Sequence, residues 1–121
     1  MKRLFGCLAL LLIASCYEKG VRLEEADLIR MLERERKADF SSLRFTGTVI
    51  LRTDQSATLN IPALGEDTGS WWIEDNKLCS KWAKALNGDA SCAYIDKLPD
   101  GNFSVHDPKT NLQTATFILI N

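Results

Sequence analysis

The 121-residue chain has one histidine, three prolines and seven glycines, and its 15 Lys and Arg are balanced by 16 Asp and Glu. Each scarcity excludes a class of function. A single imidazole, His106, rules out multi-histidine metal centres and leaves one candidate base for a serine or cysteine nucleophile. The glycines are scattered, so no phosphate-cradling loop is present. With no excess of basic residues and no basic cluster, the chain lacks a nucleic-acid footprint, and no nucleic-acid partner is expected. The longest uncharged apolar run is residues 4–14, far short of the roughly 20 residues that a spanning helix needs.

That run has another meaning. Lys2 and Arg3 precede it, and small residues follow it, which is the layout of a secretory signal peptide over residues 1–15. Its end, Ile13-Ala14-Ser15-Cys16, resembles the lipobox of bacterial lipoproteins. The resemblance implies cleavage after Ser15 and lipidation of the Cys16 thiol, so the membrane becomes a partner through that anchor. In the sorting pattern of Gram-negative lipoproteins that this resemblance brings with it, Tyr17 in place of an aspartate implies the periplasmic face of the outer membrane. Residues 16–22 then form a short lipidated tether, and residues 23–121 form the domain.

The cysteines sort accordingly. Cys7 lies in the signal and Cys16 carries lipid, which leaves Cys79 and Cys92 as an even pair in an oxidising compartment. A disulfide is expected there. Zinc would need more ligands than two thiols and His106 provide. No cofactor is expected.

From Leu23 to about Ala38, Ala26, Leu28, Ile29 and Leu32 recur at helical spacing. Acidic residues open this segment and basic ones close it, which complements the helix dipole, and Glu33–Lys37 is a favourable i,i+4 pair. A charged helix invites a membrane-surface or partner-binding role, but mixed signs on its polar side favour a stripe packed on a sheet.

Beyond Ser41-Ser42 the period becomes two. Seven alternating runs follow, from "LRFTGTVILR" to the C-terminal "QTATFILI", separated by turn-rich segments of which "PDGN" is the clearest. Leu43, Phe45, Val49 and Leu51 share one face, as do Ala57, Leu59 and Ile61. Ile118 and Ile120 lie opposite Phe117 and Leu119, so the last strand is expected to be covered on both sides. The fold class is α+β, mainly antiparallel β: one N-terminal helix on a meander of about seven strands, forming a curled sheet or small barrel.

The densest stretch is "GSWWIEDNKLCSKW". With Asp75-Asn76 as a two-residue hairpin turn, Ile73 faces Leu78, Trp72 faces Cys79 and Trp71 faces Ser80. Trp71, Ile73, Leu78 and Trp82 then point to the core. Trp72 and Cys79 point the other way, with the Cys79–Cys92 bridge beside the Trp72 ring. Partly exposed on that face, Trp72 is the candidate ligand or partner contact.

These residues carry a second resemblance. Gly69-x-Trp71-x-Ile73, Leu78-Cys79, Trp82, Cys92 and Asp100-Gly101, introduced by Leu23-Glu24-Glu25, look like a group of small exported proteins of Gram-negative bacteria with an N-terminal helix and a G-x-W…L-C…W…C sheet. The resemblance implies the fold and the disulfide and brings no catalytic residue. The chain departs from the group after the helix, where a Gly-rich strand opening is missing, and at its longer C-terminal end.

Catalytic candidates are few. His106 and Asp107 alternate along a strand and face apart, so His106 is expected to face solvent. Ser41, Ser42, Ser80 and Ser104 lack a nucleophile motif. Glu66-Asp67 and Glu74-Asp75 lie beside turns, where carboxylates are solvated. The leading expectation is a non-enzymatic, lipid-anchored envelope protein whose β domain binds another envelope protein. The alternatives are a carrier of a small apolar ligand resembling lipocalins, and an inhibitor of a cell-wall hydrolase.

Overall fold

The computed structural model describes residues 20–120. The signal segment, the lipobox and Cys16 lie outside them. The described chain runs β1 (Val21–Arg22), α1 (Glu25–Met31), β2 (Arg36–Ser42), β3 (Thr46–Leu51), β4 (Ser56–Ile61), β5 (Gly65–Glu74), β6 (Lys77–Trp82), a 3-10 turn (Ala85–Gly88), β7 (Ser91–Lys97), β8 (Phe103–His106) and β9 (Gln113–Ile120). Neighbouring strands are β1-β7-β6-β5-β4-β3-β2-β9-β8, and β8 pairs back onto β7. β2 to β9 therefore close into an antiparallel ring of eight strands, with β1 laid along the outside of β7. Closure leaves the ring no unpaired edge.

The helix is shorter than its periodicity predicts. It begins with the Glu24 amide donating to Asp27 Oδ2 at 2.8 Å and is capped at Leu32. Arg36–Ser42, expected to be helix end and linker, is instead strand β2, so Glu33 and Lys37 never form a helical pair. Arg36, Ala38 and Phe40 alternate onto one face of this strand. β2 pairs along one edge with β3 and along the other with β9, as in Phe40↔Gly47 and Phe40↔Phe117. Two ladders of backbone hydrogen bonds override a weak local helix preference. Ahead of the helix, Val21 and Arg22 form β1 and pair with Lys97 and Asp96 of β7.

The hairpin arithmetic holds. Trp71↔Ser80, Trp72↔Cys79 and Ile73↔Leu78 are the observed pairs. Asp75 and Asn76 both take positive φ (51° and 62°), the turn that matches strand twist. Trp71 and Trp82 are buried inside the ring with Ala57 and Leu32. Their burial stabilises the fold by roughly 4–6 kcal/mol apiece. Trp82 lies across Gly69, where a Cβ would sit 2.7 Å from the Trp82 ring. α1 covers one end of the ring, with Leu28 buried against Ile95 and Phe103.

Two face assignments change. Leu43 does not share the face of Val49 and Leu51: with Arg44 it forms the tip of the β2–β3 turn, closed by the Ser42 amide donating to the Phe45 carbonyl, and it is fully exposed (103%). The last strand is not covered on both sides, because Ile118 is 49% exposed on the outer wall.

Candidate functional site

Closure of the ring creates an interior, and the inward residues do not fill it. An apolar cavity of about 270 Å³ lies inside, walled by Phe40, Val49, Leu59, Trp71, Ala93 and Phe117 among others. An eight-stranded barrel is just wide enough for packed side chains or one small ligand. This volume falls slightly below the usual range of ligand pockets, about 300–1,000 Å³. The apolar lining follows from strand period: every second residue of every strand faces inward, and the small ones (Ala38, Ala93, Ala115) leave the space.

The two ends of the cavity differ. At the helix end, Arg36 and Met31 join its wall. At the far end, Asp67 turns inward on β5 and accepts the amide N–H of Ala85 at 2.8 Å, of Lys84 at 3.0 Å and of Thr68 at 2.9 Å. These donors, the Ala85 amide foremost and with help from the Lys84 charge, hold the Asp67 carboxyl below the usual carboxylate range despite the opposing effect of burial. The solvated role expected for this residue is wrong, since it is only 8% exposed. It ties the β6–β7 connection over the ring.

No protein-family model matches this chain, and neither does any curated protein or solved structure.

On the outer wall, the Cys79–Cys92 disulfide is present, joining directly opposed residues of β6 and β7. Trp72 lies across from Cys79 on the same face, half-buried, and its Nε1 donates to Glu74 Oε1 at 2.9 Å. Glu74, Cys79 and Cys92 place ligand atoms within 4.8 Å of one another. With both sulfurs oxidised, the group offers a metal one carboxylate and no thiolate.

Beside it lies a polar cluster that the sequence did not reveal. Arg22 Nε donates to Asp96 Oδ1 at 2.6 Å, and the guanidinium stands 4.5 Å over the Tyr94 ring. His106 Nε2 lies 2.8 Å from Ser104 Oγ and 3.3 Å from Asp96 Oδ2, while Nδ1 is 3.2 Å from the Asn111 carbonyl. His106 is thus engaged and half-buried, contrary to the solvent-facing expectation, because β7 brings Asp96 opposite Ser104. A Ser–His–Asp relay needs serine and carboxylate on opposite ring nitrogens. Here both meet the same one, and Ser104 is 1% exposed. The cluster is built to hold β1 on the barrel: Arg22 also donates to Asn111 Oδ1 at 2.7 Å. Only the period-two placement of Ser104 and His106 on one face signalled it in the sequence; Asp96 and Arg22 arrive through tertiary pairing.

Proposed function

We propose that this protein is a small carrier that holds an apolar ligand inside its barrel. The observation that carries this reading is the unfilled apolar cavity in a ring closed on all sides, with a helix across one end. Packed interiors have few voids larger than a water molecule, so an apolar space of about 270 Å³ is a binding feature before it is a packing defect. Native mass spectrometry of protein extracted without denaturant should show a co-purifying apolar molecule. Titration of the emptied protein with N-phenyl-1-naphthylamine should give saturable fluorescence. Ala93→Phe, which fills the cavity, should abolish both. An empty interior that takes up no probe would overturn the reading.

The carrier is proposed to be exported and anchored through lipid at Cys16, on the periplasmic face of the outer membrane. Gly20 lies against Asp96 and Leu98 at the helix end, so an anchor four residues earlier would turn that end towards the bilayer. Cys16→Ser should release the protein from membranes without altering the fold; a variant still held tightly by membranes would refute lipidation.

A second reading, docking to another envelope protein, has its own support. Connections β2–β3, β4–β5, β6–β7 and β8–β9 all emerge at the end opposite α1, and each presents an exposed leucine: Leu43, Leu64, Leu86 and Leu112. Four exposed apolar tips carried to the same end support such a contact. Changing all four to serine should remove a defined partner from crosslinked envelopes while ligand uptake persists. Trp72 is the alternative contact, and Trp72→Ala tests it in the same assay.

A further inference from the structure

We infer that the ligand is a single-chain amphiphile whose anionic head group is received by Arg36 beneath the helix. This rests on the interior-binding reading above and adds the chemistry of the ligand's polar end. Arg36 opens β2 and shares the inward face of Ala38 and Phe40, an unusual place for a charge in an apolar barrel. Its Nε donates to the Met31 carbonyl at 2.7 Å, which fixes the guanidinium at the helix end. Among the described residues its terminal nitrogens have no acceptor and no carboxylate within ion-pair distance.

Arg36 also lines a second cavity, of about 380 Å³, between α1 and the barrel mouth. Met31 and Leu119 line both spaces as well, so Arg36 lies on the wall that the two share. The remaining charges of the second cavity are Arg30, Lys97 and Asp27. Both oxygens of Asp27 are already used: Oδ1 by Arg30 at 3.0 Å and Oδ2 by the Glu24 amide at 2.8 Å. The mouth is therefore cationic, with one fork-shaped donor left open towards an apolar chamber. A half-buried guanidinium beside apolar walls is poorly solvated, and a carboxylate or phosphate matches its geometry. The chamber beyond accepts the tail. Neutral molecules of the same length would leave the guanidinium uncompensated, and cationic ones would be repelled.

The test is isothermal titration of the delipidated full domain with dodecanoate, dodecyl phosphate, dodecanol and dodecyltrimethylammonium at low salt. At least one of the two anions should bind about tenfold or more tighter than dodecanol, since a hydrogen bond to a charged group contributes that much. The ammonium should bind weakest. Arg36→Gln should erase the preference for the anion while leaving dodecanol affinity unchanged, and Arg36→Lys should keep part of it. If dodecanol binds as tightly as both anions, the head-group assignment falls and the carrier reading stands. If none of the four binds to the unaltered protein, both fall. Should Arg36→Gln fail to fold, the four-ligand series on the unaltered protein decides alone.

Discussion

Gly69→Ala is the sharpest probe of the barrel wall. In a strand interior, replacing glycine by alanine ordinarily stabilises by roughly 0.5–1 kcal/mol, because the unfolded chain loses less freedom. Here the new Cβ would lie 2.7 Å from the Trp82 ring, 3.0 Å from its Cα and against the Lys81 carbonyl oxygen. Attractive contact needs about 3.5–4.0 Å, so all three are repulsive. The carbonyl and Cα belong to β6, paired to β5 through Gly69↔Trp82, and they can retreat only by loosening that ladder. Overpacking of this kind costs roughly 1–3 kcal/mol. The clash outweighs the entropic gain, leaving about 1–2 kcal/mol of destabilisation. For a domain of this size that is a fall in Tm of roughly 5–15 °C. Urea denaturation followed by far-ultraviolet circular dichroism should show a lower midpoint at unchanged slope. In a double-mutant cycle, Trp82→Leu should relieve the ring contact alone, so that a partial coupling appears while the backbone share of the cost remains. A Gly69→Ala protein as stable as the parent would refute both the close approach of Trp82 and the register behind it.

Other consequences are as direct. Cys79→Ser opens a cross-link with a sequence separation of 13 and should lower stability by about 3 kcal/mol, measured by urea denaturation against the parent with and without reductant. Leu28→Ala removes the fully buried helix residue that holds α1 on the barrel and should cost about 2–5 kcal/mol, with faster amide exchange at that end. The Asp67 carboxyl titrates lower folded than unfolded, so its contribution is complete above the ordinary carboxylate range, near 3.8, and is lost as pH falls through the lower folded value. Asp67→Asn should therefore be less stable at neutral pH, with the gap to the parent closing in acid; a gap that does not change with pH would exclude this role.

Much of the β architecture was legible because its signals are local. The 69–82 hairpin could be counted residue by residue, since a two-residue turn fixes register and the period of two fixes facing. The same logic set Cys79 and Cys92 on the outer wall. It failed at Arg36–Ser42, where the helix formers Arg36, Lys37 and Ala38 open a strand that β3 and β9 pair along both edges. It failed again at Asp67 and His106, whose partners (the Lys84 and Ala85 amides, Asp96, Arg22) come from other strands. Leu43 was misplaced because a turn of two residues shifts the alternation without changing its appearance.

The sequence alone determined which side chains alternate and where the chain turns, since these depend on neighbours a few residues away. Only the tertiary structure decided that the sheet closes, that the closed ring keeps an apolar hollow, and that a guanidinium stands at its mouth. Closure and cavity volume depend on how strands far apart in the chain meet, and no local period encodes that.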